Sequence, residues 1–491
     1  MKTFTDYLNQ FGEIGEIQEV SHSLGTASGL PEINYHELVL AQSGEIGQVM
    51  TLKDQKVEIL FFSAQAPEIG TRVSRTGKFL EIGLDQKLLG QVVNAFAQPI
   101  MPDKPIPSSE FRSLFTLPAG IASRKRITRF LETGVSVVDL LLPLGKGQRE
   151  LVLGDRKTGK TDFLLKTIET QANQGMICIY AAIGKKMLDI KKVQELFEKQ
   201  GVMQHLVIVA ASSNEPAGLI YLAPYTAMTI AEYFKDLGHD VLIVLDDLTT
   251  HARSYREISL LARRFPGRNS YPAEIFFTHA QLLERSGNFV SQNGKEVAIT
   301  CLPVAETIEG DIVGYIQTNL MSMTDGHIYF DNDLFANGRR PAINPFLSVT
   351  RVGRQTQTSL MRDINRELTS FLLLYEKMQG YTHFGAEVTD SVLQTLRTGE
   401  RIITFLNQTQ EALVPTLVQQ FLFTLIWAGG WEKATTSQLQ ADINRFIQLY
   451  TEDRKVQEQI NILVAKSVSL NSLIGQVSRD MELYKNLVKT K

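Results

Sequence analysis

Residues 149–154 read Arg-Glu-Leu-Val-Leu-Gly, and Gly159-Lys160-Thr161 follows after four more positions. This spacing constrains the chain more than any other stretch, because it works only as strand, loop and helix in succession. The glycines let consecutive backbone N–H groups turn to one side, and the N-terminus of the new helix adds its field. Such a loop gathers negative charge, and phosphate oxygens are its ligand. Gly154, Asp155, Arg156, Lys157, Thr158, Gly159, Lys160 and Thr161 are therefore the candidate phosphate-binding residues. Lys160 is placed to bridge terminal phosphates, and the Thr161 hydroxyl to ligate Mg²⁺.

The surroundings have the pattern that this loop needs. Apolar runs at 149–154, 177–184, 205–212, 240–247, 273–279 and 297–304 read as strands, and helical patterns separate them. Near-continuous apolar strands alternating with amphipathic helices predict a mainly parallel sheet covered on both faces. The run Leu242–Leu245 ends in Asp246-Asp247. A carboxylate at the carboxyl end of such a strand lies where ligands collect in open α/β sheets. Asp246 is thus the second expected Mg²⁺ ligand, directly or through water.

On either side the character changes. Residues 25–90 are short strand-like pieces split by Gly, Pro and Asp, which predicts a small β-barrel. Residues 1–90 carry seven basic and twelve acidic side chains, so this barrel is poorly suited to gripping RNA. Beyond residue 358 strand signals fade and helical periodicity takes over. The expected order is an N-terminal segment (1–24), a β-barrel (25–90), an α/β nucleotide-binding domain (91–357) and a helical domain (358–491). Phe4, Tyr7, Leu8 and Phe11 lie at helical spacing, in a segment without the apolar core of a signal peptide. The longest uncharged stretch, Ala412–Trp431, is broken by Pro415 and Gly429-Gly430 and reads as buried helix rather than a membrane span. With 50 basic and 53 acidic residues, no global positive field recruits nucleic acid or an acidic membrane. Cys178 and Cys301 sit in apolar runs and are expected as buried free thiols.

Several long stretches resemble the alpha subunit of F-type ATP synthases. They are GQRELVLGDRKTGKT (147–161), LARRFPGRNSYPAEIFFTHAQLLERSG (261–287), GYIQTNLMSMTDGHIYFDNDLFANGRRPAIN (314–344) and SVTRVGRQTQ (348–357). The resemblance implies a hexameric head of alternating alpha and catalytic beta subunits around a central-shaft gamma subunit. It further implies a peripheral-stalk subunit at the N-terminus, no nucleic acid, and contact with the cytoplasmic face of the cell membrane only through other subunits. In that family alpha binds Mg-ATP or ADP without turning it over. By the same resemblance Phe335, Arg340, Pro341, Gln408 and Gln410 fall where the adenine pocket is built. Arg351 falls where alpha supplies an arginine finger to its neighbour.

At the position where beta carries a catalytic Glu, and alpha usually a Gln, this chain has Lys185. An ordinary lysine, with a pKa of about 10.4, accepts no proton at neutral pH. Lys185 is read either as a stabiliser of bound phosphate charge or as a solvated surface lysine. Lys157 and Gly353-Arg354 also depart from the alpha pattern. Two other readings stay open: an alpha-like subunit recruited to a different motor, and a ring-shaped RNA translocase.

Overall fold

The computed structural model describes residues 3–101, 105–291, 294–383, 389–408 and 412–488. At the N-terminus, Thr3 and Asp6 form a reciprocal capping box on the helix Phe4–Phe11, and Gly12 ends it in the left-handed region. The apolar face expected of this helix buries Tyr7.

Six antiparallel strands then close into a barrel: β1 (Gly15–Ser21), β2 (Leu24–Ser28), β3 (Glu37–Ala41), β4 (Ile46–Leu52), β5 (Lys56–Phe61) and β6 (Arg72–Phe79). Their order is β1-β2-β5-β4-β3-β6, and closure leaves no unpaired edge. Ile17, Ala27, Val39, Val49, Ile59, Phe61 and Val73 fill the interior. The barrel starts ten residues before the expected boundary at 25, because β1 bridges β2 and β6. Acidic outward residues hide that strand in the sequence: Ile17 is its one fully buried large side chain.

One charged residue is locked inside the barrel wall. Glu37 is 1% exposed and accepts from Arg75 Nε at 3.0 Å, Gly77 N at 2.8 Å and Asn34 N at 3.0 Å. Arg75 also reaches Glu13 at 3.1 Å. This group fastens β3 to β6.

The chain divides into two units. The barrel belongs to the first (1–126, 172–307 and 311–324), and the phosphate loop and C-terminal helices to the second (127–171, 308–310 and 325–491). In the first unit the parallel strands Gln91–Val93, Leu206–Ser212, Ile177–Lys185, Val241–Asp246 and Glu296–Glu306 lie side by side in that order. Every residue of Val241–Asp246 and Leu206–Ser212 is buried, as strands covered on both faces require. Cys178 and Cys301 are buried thiols that form no disulfide.

The run at 273–279 is not a strand. It opens the helix Ile275–Leu283, which buries Ile275, Thr278, His279, Leu282 and Leu283 while Phe277 faces outward. That burial has a helical period, which a short apolar run does not reveal in the sequence.

In the second unit Glu150–Gly154 runs parallel to Gly326–Phe330, which pairs antiparallel with Val349–Thr350. The helical region then runs from Ser359–His383 through Asp390–Leu406, Thr416–Trp427, Thr436–Glu452, Arg454–Lys466 and Leu470–Arg479 to Met481–Val488. Thr416–Trp427 is the uncharged stretch, with Val418 through Ile426 all buried. Among the described residues, no helix is long and apolar enough to cross a membrane.

Replacing Arg75 by leucine leaves the Glu37 carboxylate buried without its cation, a loss expected to cost about 3 kcal/mol. Hydrogen exchange in β3 and β6 should accelerate accordingly, and unchanged protection would mean that the pair is not what fastens these strands.

Candidate nucleotide-binding site

The phosphate loop is shaped by backbone freedom. Gly154 has φ 153°, and a Cβ there would lie 2.6 Å from the Phe330 carbonyl oxygen. Gly159 takes φ 95°, and Lys157 accepts the left-handed region at φ 64° despite its side chain. The Thr158 hydroxyl donates to the Asp155 carbonyl at 2.8 Å. The Asp155 carboxylate takes the Gly310 N–H at 3.1 Å and the Asn332 amide, so it braces the loop. Lys160 curls back and donates to the carbonyls of Gly154 at 2.8 Å and Asp155 at 2.5 Å. The helix Lys160–Asn173 starts there, with Thr161 exposed on its first turn and Arg156 and Lys157 exposed on the loop. This constellation is a cradle for anions.

Phe335 and Arg340, five residues apart, meet the distant Gln408 in the same unit. The Arg340 guanidinium lies over the Phe335 ring, 3.6 Å from its centroid, and donates to the Phe335 carbonyl at 2.8 Å. Gln408 N donates to the Arg340 carbonyl at 2.7 Å. Its side chain, however, is committed to backbone: Oε1 accepts from Ser136 N at 2.7 Å, and Nε2 donates to the Gly134 carbonyl at 3.0 Å. Gln408 is therefore a brace in this state, not an open ligand. Pro341 lines a cavity of about 330 Å³ together with Leu334, Arg339, Tyr375 and Asn407. Tyr375 and Asn407 carry no local sequence signal that would have singled them out. Gln410 lies outside the described residues.

Arg351 follows the short strand Val349–Thr350, and its backbone N–H donates to the Asp325 carbonyl at 3.1 Å. The Asp325 carboxylate is itself held by Arg149, at 2.9 Å from both its backbone N and its Nη2. The Arg351 side chain is exposed, and among the described residues no carboxylate pairs with it.

In the first unit, Asp246 closes its strand only 3% exposed. Tyr180 donates its hydroxyl to Asp246 Oδ2 at 2.8 Å, and the Lys185 ammonium stands 2.7 Å from Oδ1. The same ammonium is 3.5 Å from Asp247, whose carboxylate caps the helix Leu248–Leu261 by accepting from Thr250 N at 2.6 Å. A bulge makes this convergence possible. Tyr180 and Lys185 are five residues apart, so an unbroken strand would turn them to opposite faces. The register slips between Ile183 and Lys185, with Gly184 at φ 64°, and both side chains reach Asp246.

Burial alone would push the Lys185 ammonium down, but Asp246 and Asp247 outweigh it and hold it above its usual value. Burial likewise pushes the Tyr180 phenol well up, so it stays a donor. Lys185 is thus not a solvated surface lysine; it is the cation of an acidic strand end.

Asp246, expected with Thr161 as a Mg²⁺ ligand, is here engaged through both carboxylate oxygens, by Tyr180 and by Lys185. Among the described residues, no group of three or more His, Cys, Asp or Glu side chains is arranged to hold a metal.

A barrel, a mainly parallel α/β domain with a strand–phosphate-loop–helix unit, and a helical region define a phosphate-loop nucleotide-binding protein. Residues 134–350 match the family model described as ATP synthase alpha/beta family, nucleotide-binding domain. Residues 357–475 match that of the ATP synthase alpha/beta chain, C terminal domain. Together the two matches span well over half of the chain, which belongs to the ATP synthase alpha/beta family. It is a nucleotide-binding subunit of a rotary ATPase, and membership implies an oligomeric complex.

Replacing Gly184 by alanine puts a Cβ 2.5 Å from Thr250 Cγ2 at a left-handed residue. The expected cost is about 1–3 kcal/mol, read as a lower thermal midpoint and faster exchange in Ile177–Lys185. Wild-type values for both would show that the bulge is not needed.

Proposed function

We propose that this chain is the non-catalytic, alpha-type subunit of a rotary F-type ATPase head. In this reading it retains ATP or ADP on its own loop and supplies Arg351 to the catalytic site of a neighbouring beta subunit. Alternating with beta around a central gamma shaft, with a stalk subunit at the N-terminus, it would help couple ATP turnover to transmembrane ion transport. It would do so at the cytoplasmic face of the membrane, through other subunits.

The observation that carries the reading is the chemistry at position 185. Hydrolysis needs a group that orients or deprotonates the attacking water. Lys185 offers an ammonium instead of a carboxylate, and Asp246 and Asp247 keep it protonated. Binding and turnover are thereby separated: the loop keeps its anion-holding backbone and Lys160, while no base is present at that turn.

Arg351 supports the second half. An exposed guanidinium that forms no ion pair among the described residues, with only the buried Glu150 carboxylate acting on it at longer range, is available to a partner, and its backbone is anchored at Asp325. Guanidinium stays charged at any working pH, and its planar fork spans two phosphoryl oxygens. It stabilises the charge that gathers on them in the transition state more than in the ground state.

Two measurements check this function. Lys160→Ala should weaken ATP binding by the full chain about tenfold or more, or about 1.4 kcal/mol; equal affinity in calorimetry would make the loop vestigial. In the assembled complex, Arg351→Ala should lower turnover by roughly 10³-fold or more while ATP binding at this chain's loop persists. Hydrolysis at the wild-type rate would leave Arg351 a merely structural residue.

A further inference from the structure

The second unit holds a cavity of about 650 Å³, none of whose lining residues belongs to the phosphate loop. Its walls come from the strand Phe130–Leu131 and from the helices Ser359–His383, Thr416–Trp427, Thr436–Glu452 and Arg454–Lys466. Phe130, Leu360, Leu417 and Val464 make much of the lining apolar. Two polar residues on one helix interrupt it. Thr416 and Gln420 lie four residues apart, one turn along the same face, and are 8% and 4% exposed. The Thr416 hydroxyl is buried without a hydrogen-bond partner. The Gln420 carboxamide, with two donors and an acceptor, finds no partner among the described residues either. Buried polar groups in native proteins are nearly always hydrogen-bonded, so a carboxamide left open on a cavity calls for a partner from outside the chain.

The charge of the wall sets the class of that partner. None of the described lining residues is Lys, Arg or His, and the one carboxylate, Glu132, accepts from the Thr416 backbone N–H. An anionic group would meet a carboxylate and no cation. A cationic one would find Glu132 already held by backbone. We propose that this cavity binds an uncharged amphiphilic small molecule, its apolar body seated between the helices and an amide or similar neutral polar group paired with Gln420. The volume lies within the range of small-molecule sites.

The test is a ligand-observed NMR titration of the full chain with three probes of one shape: 4-phenylbutanamide, 4-phenylbutylamine and 4-phenylbutanoate. The amide should bind saturably and about fivefold or more tighter than the amine or the carboxylate. Gln420→Leu, which removes the hydrogen-bonding group and keeps a similar bulk, should weaken the amide about tenfold or more. Val468→Trp, at the exposed rim of the cavity, should obstruct binding without altering Gln420. The amide should bind equally with and without excess ATP. No saturation by about 5 mM would mean that only water meets Gln420, and it overturns the inference. Equal affinity for the three probes, wild-type affinity in either variant, or displacement of the amide by ATP overturns it too. None of these results touches the nucleotide reading of residues 154–161.

Discussion

A carboxylate at the end of a strand buried on both faces has to be compensated where it stands. Asp246 and Asp247 are 3% and 2% exposed, and burying ionised carboxylates without partners is prohibitively costly. Much of the local architecture follows from that constraint. Tyr180 directs its hydroxyl inward, Asp247 turns to cap the next helix through Thr250, and the neighbouring strand gains a residue at Gly184. Lys185 is thereby delivered to the pair as its counter-ion.

The phosphate loop solves the opposite problem. There the backbone leaves donors in excess: N–H groups at a helix start, with Lys160 parked on the loop's own carbonyls. In this structure those carbonyls hold the lysine. The loop binds anions because phosphate offers the lysine a stronger acceptor. One chain thus carries an anion cradle in its second unit and an internally neutralised acidic strand end in its first. That pairing of features fits a subunit that holds nucleotide and leaves chemistry to a neighbour.

Much of the fold was legible because periodicity and punctuation survive in the text. The apolar runs at 149–154, 177–184, 205–212, 240–247 and 297–304 are strands, and the loop glycines mark their positions outright. Sequence pattern and structure differ where burial and period part company. The run at 273–279 is a helix because its buried positions repeat at helical spacing, while β1 has outward acidic side chains that mask its strand pattern. Phe335, Arg340 and Gln408 stand out only through the resemblance. Phe335 and Arg340 meet 3.6 Å apart, but the Gln408 amide is occupied with Ser136 and Gly134, which a glutamine in a sequence cannot disclose.

The sequence by itself determined the phosphate loop, the alternation of strands and helices, the helical C-terminal region and the absence of a carboxylate at position 185. Those depend on residue type and local spacing, which a linear text preserves. Only the tertiary structure decided what Lys185 does. Its partner Asp246 lies 61 positions away in the chain, on the adjacent parallel strand. The direction of its side chain depends on a one-residue bulge that composition does not encode. An ammonium can serve a phosphate, the solvent or a carboxylate, and the choice is made by which of them folding brings within reach.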